Sequence, residues 1–88
     1  MNITVRYLMT FSQITGTKSE QVELEEGSEI TRLLEKLTLR HGRKFKKALE
    51  KEFDHRSVLY MVNEKTVDVS TMLEDGDEVL ISYPVGGG

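Results

Sequence analysis

The sequence predicts one α+β domain, a mixed sheet of four or five strands with one main helix across it. Two observations carry this. Stretches near both ends of the chain alternate apolar and polar residues, as half-buried strands do. Between them runs an apolar repeat of helical period. Eighty-eight residues leave room for one core. A composition of 38% hydrophobic and 31% charged residues suits a folded rather than a disordered chain.

Ile3, Val5 and Tyr7 share one face of the first strand, and residues 8–11 continue the pattern less cleanly. Gly16 marks a turn at residues 14–17. A second strand over residues 20–25 places Val22 and Leu24 inward and glutamates outward, and the two strands read as a hairpin. Ser28 is the predicted N-cap of the main helix, with Glu29 in its first turn. Ile30, Leu33, Leu34 and Leu37 form its apolar face, and His41-Gly42 its stop. Residues 43–53 read as a further helical stretch, with Phe45, Ala48, Leu49 and Phe53 on one side. Residues 57–62 form a strand, residues 66–69 a short strand or extended link, residues 73–77 a turn, and residues 78–83 a last strand with Val79, Ile81 and Tyr83 aligned. A hairpin, a helix and further strands in this order suit a β-grasp arrangement, in which the first and last strands can lie parallel.

Composition excludes several functions. Without cysteine there is no disulfide, thiolate metal site or side-chain thiol chemistry. His41 and His55 lack a pattern of further ligands, and Asp75-Gly76-Asp77 is ordinary turn chemistry, so no metal site is expected. No apolar run approaches a membrane span, and the first residues lack a signal-peptide pattern, so a cytoplasmic protein is expected. The net charge of −3 argues against a nucleic-acid binder. It is unevenly laid out: residues 32–51 carry a local +6 and residues 52–88 a local −6. The basic stretch Arg40, Arg43, Lys44, Lys46, Lys47 and Lys51 reads as a solvated helix face or a contact for an acidic partner or nucleic acid.

After Tyr83 the sequence ends Pro84-Val85-Gly86-Gly87-Gly88. Proline cannot donate to a sheet ladder and so closes the strand. The chain therefore divides into a domain at residues 1–83 and a flexible C-terminal glycine tail at residues 84–88. Glycines without side chains can thread a narrow tunnel and leave the Gly88 carboxylate unhindered. A carboxylate is a poor electrophile until activated, most simply as an acyl-adenylate made from ATP. Displacement of AMP by a persulfide can lead to a thiocarboxylate; displacement by a lysine amine gives an isopeptide. The chain has no nucleotide-binding motif, so the catalyst and the ATP site must belong to a partner.

These residues resemble the MoaD/ThiS group of ubiquitin-like sulfur carriers and the related small archaeal modifiers. Val62-Asn63-Glu64-Lys65, Leu73-Glu74-Asp75-Gly76-Asp77-Glu78-Val79 and the Pro84-Val85-Gly86-Gly87-Gly88 ending carry the resemblance, with Ile14-Thr15-Gly16-Thr17 similar to the loop after the first strand. The resemblance implies a ubiquitin-like β-grasp carrier and not an enzyme. Gly88 would be adenylated by a ubiquitin-activating-type enzyme, and Pro84, Val85, Gly86 and Gly87 would thread its tunnel. Molybdopterin formation beside the large subunit of molybdopterin synthase is the expected use. Conjugation of Gly88 to target lysines, or an inert interaction domain, are the alternatives. Asp75, Asp77 and Glu78 are candidates for docking a partner through opposite charge. Phe11 and Tyr83, with Met9 and Met61, are candidates for an apolar binding face.

Overall fold

The computed structural model describes residues 1–51 and 57–84. Eight elements follow in order: β1 (Asn2–Tyr7), α1 (Thr10–Thr15), β2 (Ser19–Glu23), α2 (Ile30–His41), α3 (Arg43–Glu50), β3 (Leu59–Val62), β4 (Lys65–Val67) and β5 (Glu78–Ser82). The strands form one sheet in the order β2-β1-β5-β3-β4. β1 and β5 run parallel at its centre, with Thr4 opposite Glu78 and Tyr7 opposite Ile81. The other three pairings are antiparallel. This is the ubiquitin-like β-grasp fold.

Strand alternation sets the core. Ile3, Val5 and Tyr7 point to the helical side and are buried, while Arg6 is exposed on the opposite face. Val79 and Ile81 bury beside them, and Ile30, Leu33 and Leu37 of α2 close over the same face. Phe45 of α3 adds a fully buried ring, edge-on to Tyr7 at 6.2 Å and to Phe11 at 5.7 Å between centroids. Each of these side chains contributes roughly 1.5–3 kcal/mol through its burial.

Three expectations are corrected. Residues 8–11 do not extend β1. The backbone turns at Met9, whose φ is 52°, and α1 follows, with Ser12 and Gln13 donating their amides to the Met9 carbonyl. Ser28 is not the N-cap of α2; Glu29 holds that position without a side-chain bond. The Ser28 hydroxyl instead donates to the Glu25 carbonyl at 2.7 Å. The first amides of α2 find backbone acceptors, Ile30 donating to the Thr71 carbonyl at 3.1 Å and Thr31 to that of Val69 at 3.0 Å. A strapping segment thus satisfies donors that a side-chain cap would otherwise serve. The short strand β4 spans Lys65–Val67, earlier than the expected residues 66–69. Phe53 and His55 lie outside the described residues.

Gly42 alone separates α2 from α3. Its φ of 86° and ψ of −162° place it in a region open essentially to glycine. Its amide donates to the Thr38 carbonyl at 2.8 Å, and its carbonyl accepts from Lys46 at 3.2 Å.

Candidate functional site

The residues that precede the tail are packed into the domain. β5 ends at Ser82, and Tyr83 folds back beneath α3 with 9% of its surface exposed. Its hydroxyl donates to the Ala48 carbonyl at 2.7 Å, and its ring lies 5.0 Å from that of Phe11. Ser82 is 1% exposed, and its hydroxyl donates to the Tyr83 carbonyl at 2.9 Å. Pro84, half-buried, is the last described residue; Val85, Gly86, Gly87 and Gly88 lie outside the description.

This arrangement corrects part of the expected apolar docking face. Phe11 has no exposed surface, and Tyr83 is committed to α3. Both are core residues holding the root of the tail. On the open face of the sheet, Leu8, Met61 and Leu80 line a shallow cleft with Arg6, Glu64 and Glu78. Leu8 is 44% exposed, and Arg6 pairs with Glu78 at 3.3 Å. Leu8 and Leu80 were missed in the sequence. The alternation of β5 does place Leu80 opposite Val79 and Ile81, and that was the available signal. Met9 is 66% exposed.

The acidic turn is chiefly structural. The Asp75 carboxylate accepts from the Asn2 amide at 2.7 Å. Asp77 accepts from the Glu74 amide at 2.8 Å and from the Asn63 side-chain amide at 2.9 Å. The Asn63 side-chain oxygen accepts the Glu78 amide at 3.0 Å, and the Asn63 amide donates to the Glu78 carbonyl at 2.9 Å. Val62-Asn63 and the 73–79 turn are therefore one hydrogen-bonded unit that fixes where β5 begins. Asp75 and Glu78 remain exposed, so their carboxylates still face solvent.

A second polar cluster lies near the other end of β1. The Glu20 carboxylate accepts from the Tyr7 hydroxyl, pairs with Arg40 and contacts the His41 ring nitrogen, each at 2.5 Å. Burial alone would raise the Glu20 carboxyl, but the bonds from Tyr7, Arg40 and His41 hold it below the usual range. Burial, then the Glu20 bond and charge, push the Tyr7 hydroxyl well above its ordinary value. His41 is a helix-end residue, as expected, but its side chain is only 13% exposed. Among the described residues no three His, Asp or Glu side chains come together as metal ligands. No described helix is long and apolar enough to cross a membrane.

A parallel β1–β5 pair, a helix laid across the sheet and an Asn63-linked turn before β5 together invite comparison with known proteins. The ThiS family model matches residues 5–88. The chain belongs to the ThiS family. Members of this kind have the ubiquitin-like fold of sulfur carriers. Among solved structures, the Pyrococcus furiosus protein assigned as molybdopterin converting factor subunit 1 is 33% identical, with a TM-score of 0.84 over 97% of this chain and 99% of that one. Small archaeal modifier protein 1 of Haloferax volcanii matches over 96% of this chain and 98% of its own, with a TM-score of 0.76 at 14% identity. A chain in the complex of subunits 1 and 2 of the Helicobacter pylori molybdopterin-converting factor matches over 100% of both chains, with a TM-score of 0.65 at 20% identity. The last two likenesses concern the fold. No curated protein sequence matches the chain.

Proposed function

We propose that this member of the ThiS family is a sulfur carrier whose Gly88 carboxylate is the working group, serving molybdopterin formation as the small subunit of a synthase. The single observation that carries the reading is the 33% identity, over nearly both whole chains, with a molybdopterin converting factor subunit 1. The glycines of the tail and the post formed by Tyr83 support it. A partner enzyme joins the Gly88 carboxylate to AMP and releases pyrophosphate from ATP. A partner persulfide then attacks the acyl carbon and expels AMP, leaving an acyl disulfide. Reduction of its S–S bond by a thiol frees the thiocarboxylate. The chain itself supplies the acyl group and binds no cofactor; ATP, persulfide and catalyst belong to partners. The larger synthase subunit would receive the thiocarboxylate, as the paired subunits of the Helicobacter pylori complex suggest. Likeness to an archaeal modifier favours a second use of the same carboxylate, conjugation to target lysines.

Intact mass decides between these readings. The protein is incubated with ATP, a sulfur source and lysate of its own cells. A sulfur-for-oxygen increase localised to Gly88 is the expected result. Gly88-to-lysine ladders without that increase would replace the carrier reading with the modifier one. Unchanged mass beside an active control carrier would leave neither.

A further inference from the structure

The tail root stands beside a second surface that the carrier chemistry does not use. Between α1 and α3 lies a cleft of about 260 Å³, floored by Ile14, Ala48 and Tyr83 and bordered by Lys44, Lys47 and Lys51. Tyr83 immediately precedes the tail proline, so the cleft opens where the tail departs. The three lysines are spaced three and four residues apart and so share one side of α3 and its C-terminal end. They are exposed, and among the described residues none of them pairs with a carboxylate. Arg6, Arg32 and Arg40, by contrast, each hold an acidic partner.

Charge is also arranged along the molecule. β5 begins at the acidic turn of Glu74, Asp75, Asp77 and Glu78 and ends beside the lysines. Among the described residues the chain is thus acidic at the far end of its central strand and basic beside Tyr83. Such a dipole orients an approaching molecule tail-first toward a negative surface.

From this we infer that the α1–α3 cleft docks an acidic segment, bearing one apolar side chain, of the enzyme that activates the tail. Acidic groups meet the three ammoniums, and the apolar side chain covers the floor of Ile14 and Ala48. A protein segment fits better than nucleic acid. The one aromatic at the floor, Tyr83, is 9% exposed and offers no face for base stacking, and the net charge of −3 repels a polyanion as a whole. The identity of the partner as the activating enzyme rests on the proposed function; the cleft and its ligand chemistry do not.

The test titrates the full labelled chain with a synthetic peptide of glutamates and aspartates around one leucine, followed by amide NMR. The same peptide with glycine for leucine and a polyuridine oligonucleotide serve as alternative probes. The expected result is shifts at Ile14, Lys47 and Ala48, with binding about tenfold weaker in K44E/K47E/K51E and nearly unchanged in K18E/K65E. No shifts, shifts centred on Met61 and Leu80, equal binding of the glycine peptide, or tighter binding of the oligonucleotide would each overturn the inference. ATP-dependent activation by the partner enzyme is measured in parallel. The triple variant should raise KM by about tenfold, an effect that shrinks as salt is added. Normal activation of that variant would sink the docking role while leaving the carrier chemistry intact. Failure of the unaltered chain to be activated would sink the carrier reading, and the peptide titration would still decide the cleft.

Discussion

At Glu20 three donors from two other elements converge on one half-buried carboxylate. Tyr7 supplies one from β1, and Arg40 and His41 the others from the end of α2, so the residue ties sheet edge to helix. Glu20→Ala should cost about 1–3 kcal/mol near neutral pH, because the buried Tyr7 hydroxyl loses its acceptor. The pH dependence has a definite sign. The folded state holds the carboxyl below its ordinary value of 4.5, so the unfolded chain takes up its proton first on acidification. The stabilisation is present above that value and is lost as pH falls through the lower folded one. Urea unfolding at a series of pH values should therefore show a shallower acid limb in Glu20→Gln; an unchanged limb would refute the assignment. Asn63 and Glu64 give a second test, since both have positive φ, 48° and 74°, in the two-residue link from β3 to β4. Such a link favours Asn-Gly. Glu64→Gly should raise stability by about 0.5–1 kcal/mol in thermal unfolding, and a loss would show that Glu64 makes a compensating contact. The Glu20 cluster was not legible in sequence, because its donors lie 13 to 21 residues from Glu20 and only the fold unites them.

Among the elements, α2 was readable because its apolar face repeats over two turns, whereas α1 was not. Six residues with only two apolar side chains, Phe11 buried and Ile14 half-buried, carry too little periodicity to distinguish a helix from a fading strand. The turn at Met9 sends the Phe11 ring under α3, where Tyr83 joins it, so neither ring reaches the open face of the sheet. The Ser28 cap was misassigned for a related reason: the acceptors for α2 come from the 69–71 segment, about 40 residues on, which no local pattern announces. Gly42 was read correctly as the stop of α2. Its backbone conformation also fixes the angle at which α3 carries Phe45 into the core. A Cβ there meets no atom within 4 Å, so Gly42→Ala isolates backbone strain from steric conflict. The substitution should cost about 1–3 kcal/mol in urea unfolding. A neutral result would mean that the α2–α3 link relaxes freely.

For the molecule as a whole, the expected tail chemistry rests on residue identity and order alone, independent of the fold. What the sequence could not supply was the mounting of that tail. The parallel pairing of β1 with β5 brings distant segments together, and α3 then captures Tyr83 through the Ala48 carbonyl. The core thus holds the root of the tail, and the proposed function assigns the reach toward a partner to the glycines beyond it. Among the described residues Tyr83 is the last in the apolar core, held by its hydroxyl bond to Ala48, so removal of Gly87 and Gly88 deletes the proposed working group and leaves that mounting in place. The truncated chain should unfold within about 0.5 kcal/mol of the full one. It should also retain peptide binding at the α1–α3 cleft, yet give no ATP-dependent activation. Tyr83→Ala should do the reverse, costing about 3 kcal/mol or more by emptying a packed site while leaving Gly88 chemically intact. Denaturation and activation assays on both variants separate the cases. A truncation that unfolds the domain would show that the tail is part of the core, and a truncated chain still activated would move the working group away from Gly88.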